Sequence, residues 1–182
     1  MKTIILDRDG VINVDSALYI KSPAEWKPIE GSLQAIARLN QAGYRVIVAT
    51  NQSGIGRGLF DMDTLNAMHE KMHKHLAAAG GRIDAIFYCP HTADEKCDCR
   101  KPQPGMFERI AKVYNMDLKG VPTIGDSLRD LQAGSAAGCI PILVRTGKGE
   151  KTEAEGNLPN GTTIHDNLAA AVDALLGKSG GK

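Results

Sequence analysis

Five short apolar runs, with helix-periodic stretches between and after them, constrain the fold of this chain more than any other feature. The runs are Lys2–Leu6, 44–49, 85–88, 121–124 and Ile140–Val144, each of strand length. From Leu33 the apolar positions Leu33, Ile36 and Leu39 share one side, with Gly43 as the stop. A second helix is predicted from near Asp63 to Gly80-Gly81, with Leu65, Met68, Met72 and Leu76 as its stripe. Pro104 opens a third, with Phe107, Ile110, Ala111 and Tyr114 inward, and a short helix ends at Gly138. Residues 146–161 read as a loop, 168–176 as a last helix capped by Asp166, and 177–182 as a disordered tail. Strands separated by helices form βαβ units. The expected fold is therefore α/β: a Rossmann-like parallel sheet with helices on both faces, in a single domain over residues 1–176. At 182 residues such a domain buries about 70% of its unfolded surface.

Charge narrows what the chain binds. Lys and Arg total 22 against 21 for Asp and Glu, and a net charge of +1 gives no field for nucleic acid or an anionic membrane. Aromatic residues are 4%, too few for a base-stacking platform. No apolar run is long enough to span a bilayer. Met1-Lys2-Thr3 runs into the first strand without a cleavage site, so a cytoplasmic protein is expected, with a monomer as the default.

In open parallel sheets ligands bind beyond the carboxyl ends of the strands. There the chain carries Asp7-Arg8-Asp9-Gly10, then Thr50 with the glycine-rich turn 52–58, then Arg100-Lys101-Pro102, then Gly125-Asp126 through Asp130. Taken singly, Asp-x-Asp is a common turn or cap, Thr-Asn-Gln an ordinary N-cap, and Arg-Lys a solvated pair. Placed together they deliver acid, hydroxyl, cation and acid to one edge, as an anionic substrate with Mg²⁺ between carboxylates requires.

This combination resembles the haloacid dehalogenase superfamily of phosphotransferases. Its four motifs occur in order as Asp7-Arg8-Asp9-Gly10, Thr50, Lys101 and Gly125 to Asp130, over about residues 1–145. The resemblance implies that Asp7 attacks phosphorus and forms an aspartyl-phosphate, with Asp9 as general acid and base. Mg²⁺ would be held by the Asp7 carboxylate, the Asp9 backbone carbonyl and Asp126. Thr50 and Lys101 would hold the remaining phosphoryl oxygens, and Asp130 would orient Lys101 or a metal-bound water. The spacings from Asp9 to Thr50 and from Thr50 to Lys101 leave no room for a large cap domain, so loops must build the pocket.

Cys89, His91, Cys97 and Cys99 supply three thiolates and an imidazole, a complete tetrahedral set for structural Zn²⁺. Arg100-Lys101 follows at once, so a zinc-pinned loop would aim both cations. Cys-x-His with Cys-x-Cys-Arg-Lys-Pro resembles a small branch of the superfamily that holds heptose 1,7-bisphosphate and histidinol-phosphate phosphatases. The stretches 12–15, 51–58 and 101–106 favour the former, whose product enters lipopolysaccharide core precursors. That resemblance implies sugar contacts from Asp15, Ser16, Ala17 and Leu18 and from Asn51, Gln52 and Ser53, in a small-molecule sugar bisphosphate site. Arg100 beside Lys101 offers a cation for the second phosphate.

Rival patterns fit the sequence less well. His69-Glu70-Lys71-Met72-His73 matches a zinc-protease motif, but both histidines are expected on the polar flank of their helix. Residues 147–152 lack the spacing of a phosphate loop, and Cys139 is expected to pack as a small hydrophobe. A zinc-stabilised module that binds a phosphosugar without turnover is the remaining alternative.

Overall fold

The computed structural model describes residues 1–179. Its centre is β1 (Lys2–Leu6), a Thr/Ile/Leu run whose Ile4, Ile5 and Leu6 are wholly buried. Such a run suits a strand covered on both faces. β1 pairs in parallel with β2 (Tyr44–Asn51) on one side and β4 (Pro122–Gly125) on the other. β3 (Ala85–Cys89), β5 (Ile140–Val144) and β6 (Thr163–His165) complete a six-stranded parallel sheet in the order β3-β2-β1-β4-β5-β6. The connections leave β1 and β4 in opposite directions, which opens a crevice above their carboxyl ends.

Alternate residues of the strands feed two cores. Ile4, Leu6, Val46 and Val48 face α1 (Ser32–Gln41), α2 (Met62–Ala78) and α6 (Leu168–Ser179). Ile5, Ile47 and Ala49 face α3 (Gly105–Tyr114) and α4 (Leu128–Ala136). Burying a side chain of this size stabilises the fold by about 1.5–3 kcal/mol. Two helix starts have a clear local cause. Asp61 caps α2 by accepting from the Thr64 backbone N–H at 2.9 Å, and Ser127 and Asp130 form a reciprocal capping box on α4. The chain between β1 and α1 folds back on the core through Val11, Ile12 and Trp26 and is laced by backbone bonds from Val14 to Lys27 and Ile29 to Ile12. Residues 15–20 are thereby carried to the mouth of the crevice.

Three expectations need correction. The stretch read as a loop contains α5 (Gly149–Glu155), seven residues without an apolar stripe. The Thr152 hydroxyl, donating to the Asp126 carbonyl at 2.8 Å, ties that helix to the sheet. The sixth strand, β6, is only three residues long and shows no period of its own. The last helix runs to Ser179 rather than stopping at 176, so the predicted tail begins inside it and otherwise lies outside the described residues.

Candidate active site

β1 ends at Asp7, whose backbone N–H still donates to the Ile124 carbonyl of β4. Asp126 follows the end of β4, and the first turn of α4 adds Asp130. One oxygen from each of these three carboxylates lies within 4.8 Å of the others. Lys101 Nζ stands among them, 3.1 Å from Asp7 Oδ1, 2.6 Å from Asp130 Oδ1 and 2.8 Å from the Ala49 carbonyl, at 2% exposure. Three carboxylates thus crowd one ammonium at the floor of the crevice. Burial, then the charge of Asp130, pushes Asp7 up to about 7. Burial together with Asp130 and Asp7 pushes Asp126 up to about 9. Asp130 is buried too, but Lys101 and Ser127 hold it below the usual range. Lys101 in turn is held charged by Asp130 and Asp7 against its burial. Such a floor suits a hard divalent cation with oxygen ligands.

Asp9 has a separate environment. Its Oδ1 accepts from Arg8 Nε at 2.9 Å, Arg8 Nη2 at 2.7 Å and Asn13 Nδ2 at 2.9 Å, and its Oδ2 from Gln52 Nε2 at 3.1 Å. Burial opposes ionisation, yet Arg8 and these amides hold Asp9 below the ordinary carboxylate range. Gln52 also donates to Thr50 Oγ1 at 2.9 Å, which links the hydroxyl to the second acid.

Gly10 and Gly147 let backbone approach the third acid. Gly10 sits at φ +83°, and a Cβ on either residue would collide with the Asp126 carboxylate. This brings the Lys148 backbone N–H to 2.9 Å from Asp126 Oδ2.

Above the floor lies a cavity of about 350 Å³ lined by Asp7, Asp9, Asp126, Asp130 and Lys101, and at its walls by Asp15, Ser16, Ala17, Asn51, Gln52, Ser53 and Arg100. Two expected members are placed differently. Thr50 is 1% exposed and lies beneath the lining, and Leu18 is 73% exposed and is not part of the lining. Asn51 uses both side-chain atoms on the Lys101 backbone, accepting from its N–H at 3.0 Å and donating to its carbonyl at 3.1 Å. The sequence reading assigned no role to Tyr19, Arg129 or Lys148, which also line the cavity. Arg129 lies inside the quoted Gly125-to-Asp130 motif, so its charge was the available signal. Lys148 was masked by the loop assignment.

In the cysteine cluster, Cys89 Sγ is 3.6 Å from Cys97 Sγ and 3.5 Å from His91 Nδ1, and Cys99 Sγ is 3.4 Å from His91 Nδ1. Tetrahedral zinc with Zn–S of about 2.3 Å and Zn–N of about 2.0 Å sets ligand-to-ligand edges of about 3.5–3.8 Å, so three measured edges match, while Cys89 to Cys99 at 2.9 Å is tighter. All the cysteines are free thiols. The Arg100 backbone N–H donates to Cys97 Sγ at 3.4 Å, and its Nη1 donates to the His91 carbonyl at 3.2 Å. The cluster therefore grips the residue that precedes Lys101. Cys139 is buried among the residues between the sheet and α3 and α4, where burial pushes its thiol up to about 12.

The two histidines of the protease-like motif line one hollow beside α2 but belong to no metal-capable group among the described residues. His73 is exposed, whereas His69 is buried rather than on a polar flank, with Nε2 3.1 Å from Arg8 Nη1. A guanidinium at that nitrogen repels a metal cation.

A family profile described as HAD-hydrolase-like matches residues 98–171. The chain is 61% identical over 176 residues to a D-glycero-beta-D-manno-heptose-1,7-bisphosphate 7-phosphatase of Bordetella bronchiseptica, covering 97% of this chain and 98% of the relative. A protein of the same description from Pseudomonas aeruginosa is 54% identical, over 95% and 97% of the two chains. A crystal structure of D,D-heptose 1,7-bisphosphate phosphatase from B. bronchiseptica, complexed with magnesium and phosphate, superposes with a TM-score of 0.97 at 61% identity. That match covers 98% of this chain and 99% of the other.

Proposed function

This chain belongs to the haloacid dehalogenase-like hydrolases, and on that premise we propose that it removes the 7-phosphate of D-glycero-β-D-manno-heptose 1,7-bisphosphate. The observation that carries the reading is the crowding of three carboxylates, Asp7, Asp126 and Asp130, around a single ammonium. The Asp7 and Asp126 carboxylates and the Asp9 backbone carbonyl would hold Mg²⁺, and Cys89, His91, Cys97 and Cys99 would hold Zn²⁺. The magnesium bound in the similar crystal structure supports the choice of the first ion. Bound magnesium supplies the positive charge that lets an anionic carboxylate approach an anionic phosphoryl group.

In this reading Asp7 Oδ forms the new bond to phosphorus while the bond to the sugar O7 breaks. Lys101 steadies a phosphoryl oxygen, and Asp130 holds Lys101 in place. Asp9, protonated from solvent once the phosphate has arrived, gives that proton to the departing O7 and then takes one from the water that hydrolyses the aspartyl-phosphate. Its hydrogen bonds keep Asp9 ionised in the free protein, and the arriving phosphate dianion raises its proton affinity by like-charge repulsion. Thr50, beneath the lining, holds Gln52 and with it the Oδ2 side of Asp9. The walls at Asp15 to Ala17 and Asn51 to Ser53 would meet the sugar, with Arg100 at the second phosphate.

One continuous sheet with its two flanking cores supports an enzyme of one domain. No described helix is long and apolar enough to cross a membrane. A phosphosugar substrate fits a cytoplasmic enzyme feeding heptose-containing glycans such as the lipopolysaccharide core. Phosphate release should be measured on both anomers of the heptose bisphosphate, on histidinol phosphate and on fructose bisphosphate, with and without magnesium. Magnesium-dependent preference for the β-anomer of the heptose is expected. Preference for histidinol phosphate, or turnover indifferent to magnesium, would overturn the reading.

A further inference from the structure

The middle residue of Asp7-Arg8-Asp9 is wholly buried, which for an arginine demands a partner for each face of the guanidinium. Both Nε and Nη2 of Arg8 donate to the same oxygen, Asp9 Oδ1. Two bonds that converge on one atom leave the guanidinium free to pivot about that atom, unlike a fork that spans both carboxylate oxygens. The third point is on α2, a different element, where His69 Nε2 lies 3.1 Å from Arg8 Nη1. Arginine has only donors, so His69 must accept at Nε2 and carry its proton on Nδ1. His69 shares its side of α2 with the buried Leu65 and Met72, so its ring is held by the core. The contact touches neither the cavity lining nor any residue of the cysteine cluster.

We propose that His69 is a positioning residue: as a neutral acceptor it fixes the pivot of Arg8, and through Arg8 it fixes the carboxylate of Asp9 that protonates the leaving oxygen. This rests on the acid/base reading of Asp9 given above. The chain of contacts is His69 Nε2, Arg8 Nη1, Arg8 Nε and Nη2, Asp9 Oδ1. A general acid displaced by a fraction of an ångström loses efficiency in proportion to the basicity of the group it must protonate.

The leaving group therefore supplies the test. Values of kcat/KM, which report formation of the aspartyl-phosphate, are compared for the heptose bisphosphate and for 4-nitrophenyl phosphate, whose leaving group needs no proton. His69→Leu should lower kcat/KM about tenfold or more on the sugar and about twofold or less on the aryl ester. His69→Gln, which offers an amide oxygen to Arg8, should recover most of the sugar activity. Equal losses on both substrates, no loss on either, or no recovery in His69→Gln would each overturn the proposal. If His69→Leu does not fold, His69→Met takes its place with the same expected split. Asp9→Asn separates the two readings. If it loses both substrates equally, the acid/base reading of Asp9 fails. If it splits them and the His69 variants do not, only the role of His69 fails.

Discussion

Replacing Lys101 with methionine should destabilise the protein by about 3–5 kcal/mol, because it leaves buried carboxylates facing one another. The ammonium lies 3.1 Å from Asp7 Oδ1 and 2.6 Å from Asp130 Oδ1 and is 2% exposed. At an effective dielectric constant of about 20, those separations correspond to gross attractions of about 5 and about 6 kcal/mol. Desolvating the ammonium consumes several kcal/mol of that total, which brings the net loss to the stated range. Against a typical stability of about 5–15 kcal/mol the effect is large. Adding Asp130→Asn removes one of the buried charges left without its partner, at nearly constant volume. The double variant should therefore be more stable than Lys101→Met alone by at least about 1.5 kcal/mol. Urea unfolding with magnesium omitted measures both, with the midpoint read at unchanged slope. A loss below about 1 kcal/mol in the single variant, or a double variant no more stable than the single, would refute the reasoning.

Asp7→Asn should reduce turnover by more than about 10³-fold while keeping or raising the unfolding midpoint, since it relieves one of three crowded carboxylates. Activity within about tenfold of the parent would remove Asp7 as nucleophile. Protein purified without chelator should contain about one zinc per chain, and removing it should lower activity while amides 89–103 lose protection and those of β1 and β2 keep it. Metal analysis that finds no zinc would end that assignment. Burial and the nearby Arg8 push His69 down to about 3 from its ordinary 6.5, so the unfolded chain takes up that proton first. Its contribution is therefore complete above pH 6.5 and is lost as pH falls toward 3, with a slope of up to about 1.4 kcal/mol per pH unit. His69→Gln should flatten the acid limb of the stability curve, and an unchanged slope would contradict this burial.

Legibility followed locality. Asp7, Lys101 and Asp126 were readable because each ends or follows a short apolar run, and parallel topology brings such ends to one edge. The cysteine cluster was readable because its four ligands fall within eleven consecutive positions. Elements held by distant contacts were not. Helix α5 depends on the Thr152 bond to the carbonyl of Asp126, 26 positions earlier. The burial of His69 depends on Arg8, 61 positions away, and helical period alone placed it on the polar flank. Asn51 carried a residue type suited to a sugar, but its two side-chain atoms are taken by the backbone of Lys101.

Order and spacing along the chain thus determined which chemical groups reach the rim of the sheet, since strand direction and connection handedness leave little choice. Which acid is paired with a cation, which is fenced by amides and which stays in surplus was decided only by packing. Charge pairing and hydrogen bonding change steeply over a few ångströms, a scale that residue spacing does not encode.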